Sequence, residues 1–288
     1  MIAITGATGH LGLDTLQALV AKIAPAEVVA VVRNPQKAAG VLPPGVTIRT
    51  ADYNDPTALA AAFRGVEKVV LISTNDPDFD TRVRQHQQVI DAARQAGVRQ
   101  VLYTSVLNPS ATSTFPVSPT HLLTEDYLRA SGLTYTIFRN TLYLDTVPTH
   151  VGKDTLASGR LAAAAGQGRV SFGLRTEMGE AIANVLTSAG HENQIYPIAP
   201  APAYSFHDIA ATLREVTGRP VTYTPVAGEV IAAGMRAHQT PEFFIGMRLG
   251  VVEAMKQGEF ATTSPTFEHL LGRKPTDLKT YLATVYGK

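Results

Sequence analysis

The chain has 288 residues, enough for one large domain or one domain with a small appendage. Apolar residues make up 45% and charged residues 17%, which suits a globular chain with a sizeable core and excludes a disordered one. Lys plus Arg number 25 against 24 Asp plus Glu, so the net charge is +1 and no polybasic field exists to hold a nucleic-acid backbone or an anionic membrane.

Cysteine is absent, which removes disulfides, thiolate nucleophiles, Cys-ligated zinc and iron–sulfur clusters together. The eight histidines show no ligand spacing, so no metal is expected. No segment approaches the roughly 18 apolar residues that span a bilayer. Met1-Ile2-Ala3-Ile4 runs straight into a glycine-rich turn without a basic or long apolar leader, so the expected setting is soluble and cytoplasmic.

In chain order, residues 2–5 read as a strand, and Thr5-Gly6-Ala7-Thr8-Gly9-His10-Leu11-Gly12 follows it directly. Leu11, Leu16, Leu19 and Val20 then recur at helical spacing. Glycines at 6, 9 and 12 between a strand and a helix form a dinucleotide-binding turn. Gly6 permits the tight turn, Gly9 lets backbone approach a pyrophosphate, and Gly12 lets the helix pack close to the strand. The free N–H groups and positive dipole end of the helix then face the phosphates.

The second strand, residues 28–32, ends at Arg33-Asn34-Pro35-Gln36-Lys37. Proteins that prefer NAD place Asp or Glu at this tip for the ribose 2′-OH. Arg33, with Lys37 one helical turn on, instead suits a 2′-phosphate and so NADP(H). After a third strand at residues 46–49, Asp52 is placed to accept from an adenine amino group. Asp55-Pro56 starts a helix over residues 56–64, and Gly65 stops it. A strand at residues 69–73 leads to a helix that begins near Phe79, carries His86 and ends at Ala96-Gly97. A strand at 101–104, a helix containing residues 121–129 and a strand at 134–138 follow.

Apolar runs alternating with helices predict a doubly wound, Rossmann-like parallel α/β sheet with right-handed crossovers. After about residue 150 the pattern loosens. Helices are expected over 177–188, 205–217 and 241–257, strands over 195–198 and 221–223, and a loop over 199–203. The expected organisation is a nucleotide-binding domain, residues 1–150, and a smaller mixed α/β C-terminal cap, residues 151–288, over the sheet's carboxyl edge, with some strands returning to the sheet.

On these residues the chain resembles the atypical short-chain dehydrogenase/reductases. Within them it is similar to the NmrA-like group, and there to the bacterial NADPH-dependent quinone reductases and triphenylmethane dye reductases. The stretches that carry the resemblance are the turn at residues 1–12, Val31-Val32-Arg33-Asn34-Pro35, Ala51-Asp52-Tyr53, Tyr103-Thr104-Ser105, His121-Leu122-Leu123-Thr124-Glu125, Arg139-Asn140 with Tyr143, and Ala189-Gly190-His191-Glu192. The resemblance implies NADP contacts at Gly6, Ala7, Thr8, Gly9, His10 and Leu11, at Arg33, at Ser73, Thr74 and Asn75, and at Phe138, Arg139, Asn140 and Tyr143. It also suggests Arg175 as a cofactor or pocket residue.

A short-chain dehydrogenase ordinarily donates a proton from Tyr in Tyr-x-x-x-Lys. None of the ten tyrosines here has Lys four residues on, and His121-x-x-x-Glu125 stands at the equivalent place. Both side chains fall on one helix face, where the carboxylate would favour an imidazolium donor. The other reading is that His121 only lines the pocket. Asn140 and Tyr143 stand just past a strand end, where nicotinamide and substrate should meet. Phe243-Phe244-Ile245 with Met247 and Leu249 offers an apolar wall for a flat ligand, ordinary core, or a homodimer contact. The expected function is NADPH-dependent hydride transfer to a flat, conjugated, apolar acceptor, with a quinone the best single choice. The alternative is an NADP-binding redox sensor without turnover. A sugar-nucleotide epimerase needs the missing Tyr/Lys pair.

Overall fold

In the computed structural model, which describes residues 1–38 and 40–287, every apolar run of the first half becomes a parallel strand of one sheet. The strands are β1 (Ile2–Ile4), β2 (Val28–Val32), β3 (Thr47–Thr50), β4 (Lys68–Leu71), β5 (Gln100–Val106) and β6 (Thr134–Asn140). All five residues of β2 and all seven of β5 are buried, as strands covered on both faces require. Ile2 lies between Val28 and Lys68, which fixes the register at the centre of the sheet.

The connecting helices are α1 (His10–Val20), α2 (Pro35–Ala38), α3 (Pro56–Ala62), α4 (Phe79–Gln95) and α5 (Ser118–Ala130). Their ends have the expected local causes. The Asp55 carboxylate accepts from the Ala58 N–H at 2.9 Å ahead of Pro56, and Asp78 accepts from the Thr81 N–H at 2.7 Å. α3, α4 and α5 cover one face through Leu59, Phe63, Val89, Ile90 and Leu128.

The other face needs residues from the second half. There α6 (Val147–Val151), α7 (Thr155–Ser158), β7 (Arg160–Ala163) and β8 (Arg169–Val170) precede α8 (Arg175–Leu186), which lies against α1. A Cβ on Gly179 would come within 2.8 Å of the Asp14–Thr15 backbone, so glycine is what lets the two helices touch. β9 (Gln194–Ile198) then pairs in parallel with β6, giving the seven-stranded order β3-β2-β1-β4-β5-β6-β9. α8 and β9, both beyond residue 150, thus lie against α1 and β6 and cover their apolar faces.

The remaining elements are β10 (Tyr204–Ser205), α9 (Phe206–Thr217), β11 (Thr222–Pro225), α10 (Gly228–Ala237), α11 (Glu242–Lys256), α12 (Thr266–Leu271) and α13 (Leu278–Tyr286). α12 joins α1 and α8 beneath the sheet. Most of the others form a cap in which β7 pairs with β11 and β8 with β10. The cap core, including Leu161, Phe206, Leu213, Val252 and Met255, is continuous with Val106, Leu107 and Leu144 at the carboxyl ends of β5 and β6. No helix among the described residues is long and apolar enough to cross a membrane.

Candidate active site

The turn after β1 is built from backbone. Gly6 has φ +59°, and its carbonyl accepts from the Gly9 N–H at 2.9 Å. Gly9 then caps α1 without a side chain, so no side-chain oxygen competes for the first N–H groups of the helix. A Cβ on Gly12 would lie 2.3 Å from the Gly6 oxygen, inside the turn itself. The result is a concave row of amides at a helix N-terminus, shaped for a phosphate.

This turn forms one wall of a cleft of about 480 Å³ along the carboxyl edge of the sheet. Of the sequence-predicted residues, Gly6, Thr8, Gly9, His10, Leu11, Gly12, Arg33, Asp52, Ser73, Thr74, Asn75, Tyr143 and Arg175 line it together. Arg33 is exposed at its far end and makes no hydrogen bond or ion pair among the described residues. The Asp52 carboxylate accepts from the Asn54 N–H at 2.8 Å and remains on the cleft wall.

Five predicted contacts do not line the cleft. Ala7 is buried against the core of α1 and α8. Lys37 is exposed in α2, a helix of only four residues that holds it away from the cleft. Alternation along β6 sends Phe138 into the core, edge-on to Tyr196 at 5.8 Å, and Arg139 toward α5. Asn140 is 3% exposed, and neither atom of its amide finds a hydrogen-bond partner. Of the predicted apolar wall of α11, Ile245 is core and Phe244 is 57% exposed, and neither lines this cleft.

The imidazolium reading of His121 is corrected. The Glu125 carboxylate is wholly buried and ion-paired with Arg139 at 2.6 Å, and Ser105 donates to it at 2.6 Å. His121 turns away from that pair, with Nδ1 2.7 Å from the Tyr103 hydroxyl. Burial, with the Arg82 charge nearby, holds its pKa well below the usual histidine value. A neutral imidazole outside the cleft is not a proton donor to a ligand in it.

Two residues that no sequence signal marked as functional, Tyr53 on the cleft wall and His86 behind it, shape the cleft. The Tyr53 hydroxyl donates to the Ile72 carbonyl at 2.9 Å and lies 2.5 Å from Thr5 Oγ1, which ties β3 to the glycine turn. His86 of α4 accepts the Thr74 N–H at Nε2, 3.0 Å away, and its Nδ1 faces Thr124 at 2.9 Å. It therefore fixes the loop after β4. At the other end Arg175, the first residue of α8, pairs with Asp145 and sits 5.0 Å over the Tyr143 ring. Burial raises the Tyr143 phenol pKa against the lowering effect of Arg175, so its hydroxyl stays protonated at neutral pH.

Three buried histidines make acid stability a measurable consequence. Burial lowers His86 and His150 to about 3, helped by Arg82 and Arg248 respectively, and His121 is shifted the same way. All three are neutral when folded and take up protons below about pH 6.5 when unfolded. Their stabilising contribution is thus full above pH 6.5 and is lost as pH falls toward 3. At pH 5 the loss is about 2 kcal/mol for each of His86 and His150. Urea midpoints should fall steadily from pH 7 to pH 5, and a flat profile would contradict the neutral burial of these rings.

The sequence profile of the NmrA-like family matches residues 1–282. Quinone oxidoreductase 2 of Escherichia coli K12 is 36% identical over 278 residues, covering 96% of each chain. The crystal structure of Citrobacter sp. triphenylmethane reductase complexed with NADP(H) superposes with a TM-score of 0.93 at 35% identity, covering 98% of this chain and all of that one. The NADPH complex of the Escherichia coli NADPH-dependent quinone oxidoreductase superposes with a TM-score of 0.91 at 34% identity, with both chains fully covered.

Proposed function

The chain belongs to the NmrA-like family, and from that membership we propose that it is an NADPH-dependent reductase of a flat, conjugated, apolar acceptor, preferably a quinone. The observation that carries this reading is the pairing, in one cleft, of a glycine cradle that a Cβ would fill with an Arg33 that has no partner among the described residues. The relatives named for quinone and dye reduction support the reaction class, and those solved with NADP(H) and with NADPH support the coenzyme.

Bound NADPH supplies a hydride from nicotinamide C4. The amides of the Gly6 turn and the N-terminus of α1 would hold the pyrophosphate, and Arg33 would hold the 2′-phosphate. Asp52, on the cleft wall, would accept from the adenine amino group. The loop of Ser73, Thr74 and Asn75, anchored by His86, closes the middle of the cleft. Tyr143 and Arg175 stand at its other end, where a protonated hydroxyl and a guanidinium would orient the reacting ring. Quinone reduction takes up one hydride and one proton, and the proton reaches the product oxygen from water. The absence of Tyr-x-x-x-Lys and the buried neutral state of His121 fit a site that works by positioning rather than through a dedicated acid.

Turnover tests this reading. Purified protein should consume NADPH, followed at its nicotinamide absorbance, with at least some members of a quinone panel. Tight NADPH binding with no oxidation by any quinone or dye would replace it with the sensor reading.

A further inference from the structure

α11 turns a charged side chain inward. Arg248 is partly buried, and its one hydrogen bond among the described residues runs from Nη1 to His150 Nε2 at 3.2 Å. It has no carboxylate partner among the described residues, and burial holds its pKa down to about 10, so it stays cationic at neutral pH. His150, accepting at Nε2, carries its proton on Nδ1. That atom is buried and has no partner, and the residue is only 9% exposed. Phe206 packs edge-on to the ring, with centroids 5.8 Å apart. A shielded cation and an unmatched N–H donor are costly unless something accepts from them.

Their place in the fold indicates what that is. α6, which carries His150, begins four residues after the cleft residue Tyr143. α11 lies directly on the segment that leaves β5: a Cβ on Gly250 would come within 2.5 Å of the Pro116 ring and 2.8 Å of the Thr114 carbonyl. Phe206, which packs on His150, belongs to the cap core that also holds Leu144 and Val147. Arg248 and His150 thus sit in the cap over the carboxyl ends of β5 and β6. In doubly wound sheets that edge faces the reactive end of a dinucleotide.

We propose that Arg248 and His150 form an oxyanion subsite of the acceptor pocket, so that the acceptor is an acidic aromatic carbonyl compound: a quinone bearing a carboxylate, a sulfonate or an ionised hydroxyl. The inference rests on the reductase reading and specifies its substrate class. The free edge of a guanidinium pairs with such a group by two parallel hydrogen bonds, whereas a cationic triarylmethane dye would be repelled.

The test compares 1,4-naphthoquinone-2-sulfonate with uncharged 2-methyl-1,4-naphthoquinone. Wild-type protein should favour the sulfonate in kcat/KM by about 10-fold or more, and Arg248→Met should lower that ratio about 10- to 100-fold, mainly through KM. Arg248→Lys should recover part of it. Retained NADPH affinity in each variant reports an intact fold. A ratio unchanged by Arg248→Met overturns the proposal.

A second arm needs neither a variant nor turnover. Naphthalene-2-sulfonate is titrated by calorimetry into wild-type protein with NADP⁺, beside neutral 2-naphthalenemethanol. Tighter binding of the sulfonate, weakening as salt is added, supports the subsite, and equal or absent binding of the two overturns it. Failure to reduce any quinone would remove the reductase reading alone, since this arm measures binding.

Discussion

Replacing Arg33 with aspartate is expected to lower NADPH affinity by about 100-fold or more, while NADH affinity stays within a few-fold or rises. The free guanidinium at the end of β2 faces the cleft, and no residue competes for it among those described. A 2′-phosphate brings nearly two negative charges and geometry that matches a guanidinium fork. Hydrogen bonds of this charged kind contribute about 1.5–3 kcal/mol each, and about 1.4 kcal/mol is tenfold in affinity. The aspartate removes those bonds and adds repulsion toward the phosphate, yet accepts well from an unmodified ribose 2′-OH. Dissociation constants for both coenzymes in both proteins check this. Parallel losses would mean that Arg33 only supports the fold.

Gly12→Ala is expected to remove coenzyme binding and destabilise the chain together. Its Cβ would stand 2.3 Å from the Gly6 oxygen, 2.9 Å from the Gly6 carbonyl carbon and 3.1 Å from the Ala7 Cα. All three are backbone atoms, so no rotamer change relieves the clash, and α1 must move off the turn it completes. Overpacking of this kind costs about 1–3 kcal/mol, which lowers Tm by roughly 2–10 °C in a chain of this size. Moving α1 also turns its amides away from the phosphate position. Gly9→Ala provides the contrast: its Cβ meets only the Gly6 oxygen at 3.2 Å, so Tm should change less while NADPH binding still weakens. A Gly12→Ala protein with unchanged Tm and NADPH affinity would contradict the turn geometry.

What was legible in the sequence was local. The glycine turn, Arg33 and the Asp55-Pro56 helix start each depend on neighbours a few residues away, and the structure places all three as their spacing implies. Side-chain partners from other elements were not legible. Helical spacing puts His121 and Glu125 on one face, but only the fold brings Arg139 of β6 and Ser105 of β5 to that carboxylate and leaves the imidazole to Tyr103. Alternation along β6 likewise diverts Phe138 and Arg139 from the cleft, although both stand near the strand end that faces it. The return of β9 beside β6 closes a connection of more than 50 residues, which no local signal records. Arg248 was hidden within an apolar helix, where the Phe243-Phe244-Ile245 run suggested a wall and gave no sign of a lone cation pointing inward.

The central claim is that the glycine turn and Arg33 together grip a phosphorylated adenosine. Calorimetric titration of the wild-type protein with adenosine 2′,5′-bisphosphate and with AMP tests it most directly, because neither ligand involves the acceptor, the nicotinamide or turnover. The bisphosphate should bind at least about tenfold tighter, with an advantage that shrinks as salt rises. Equal affinities, or no heat from either ligand, would contradict the account.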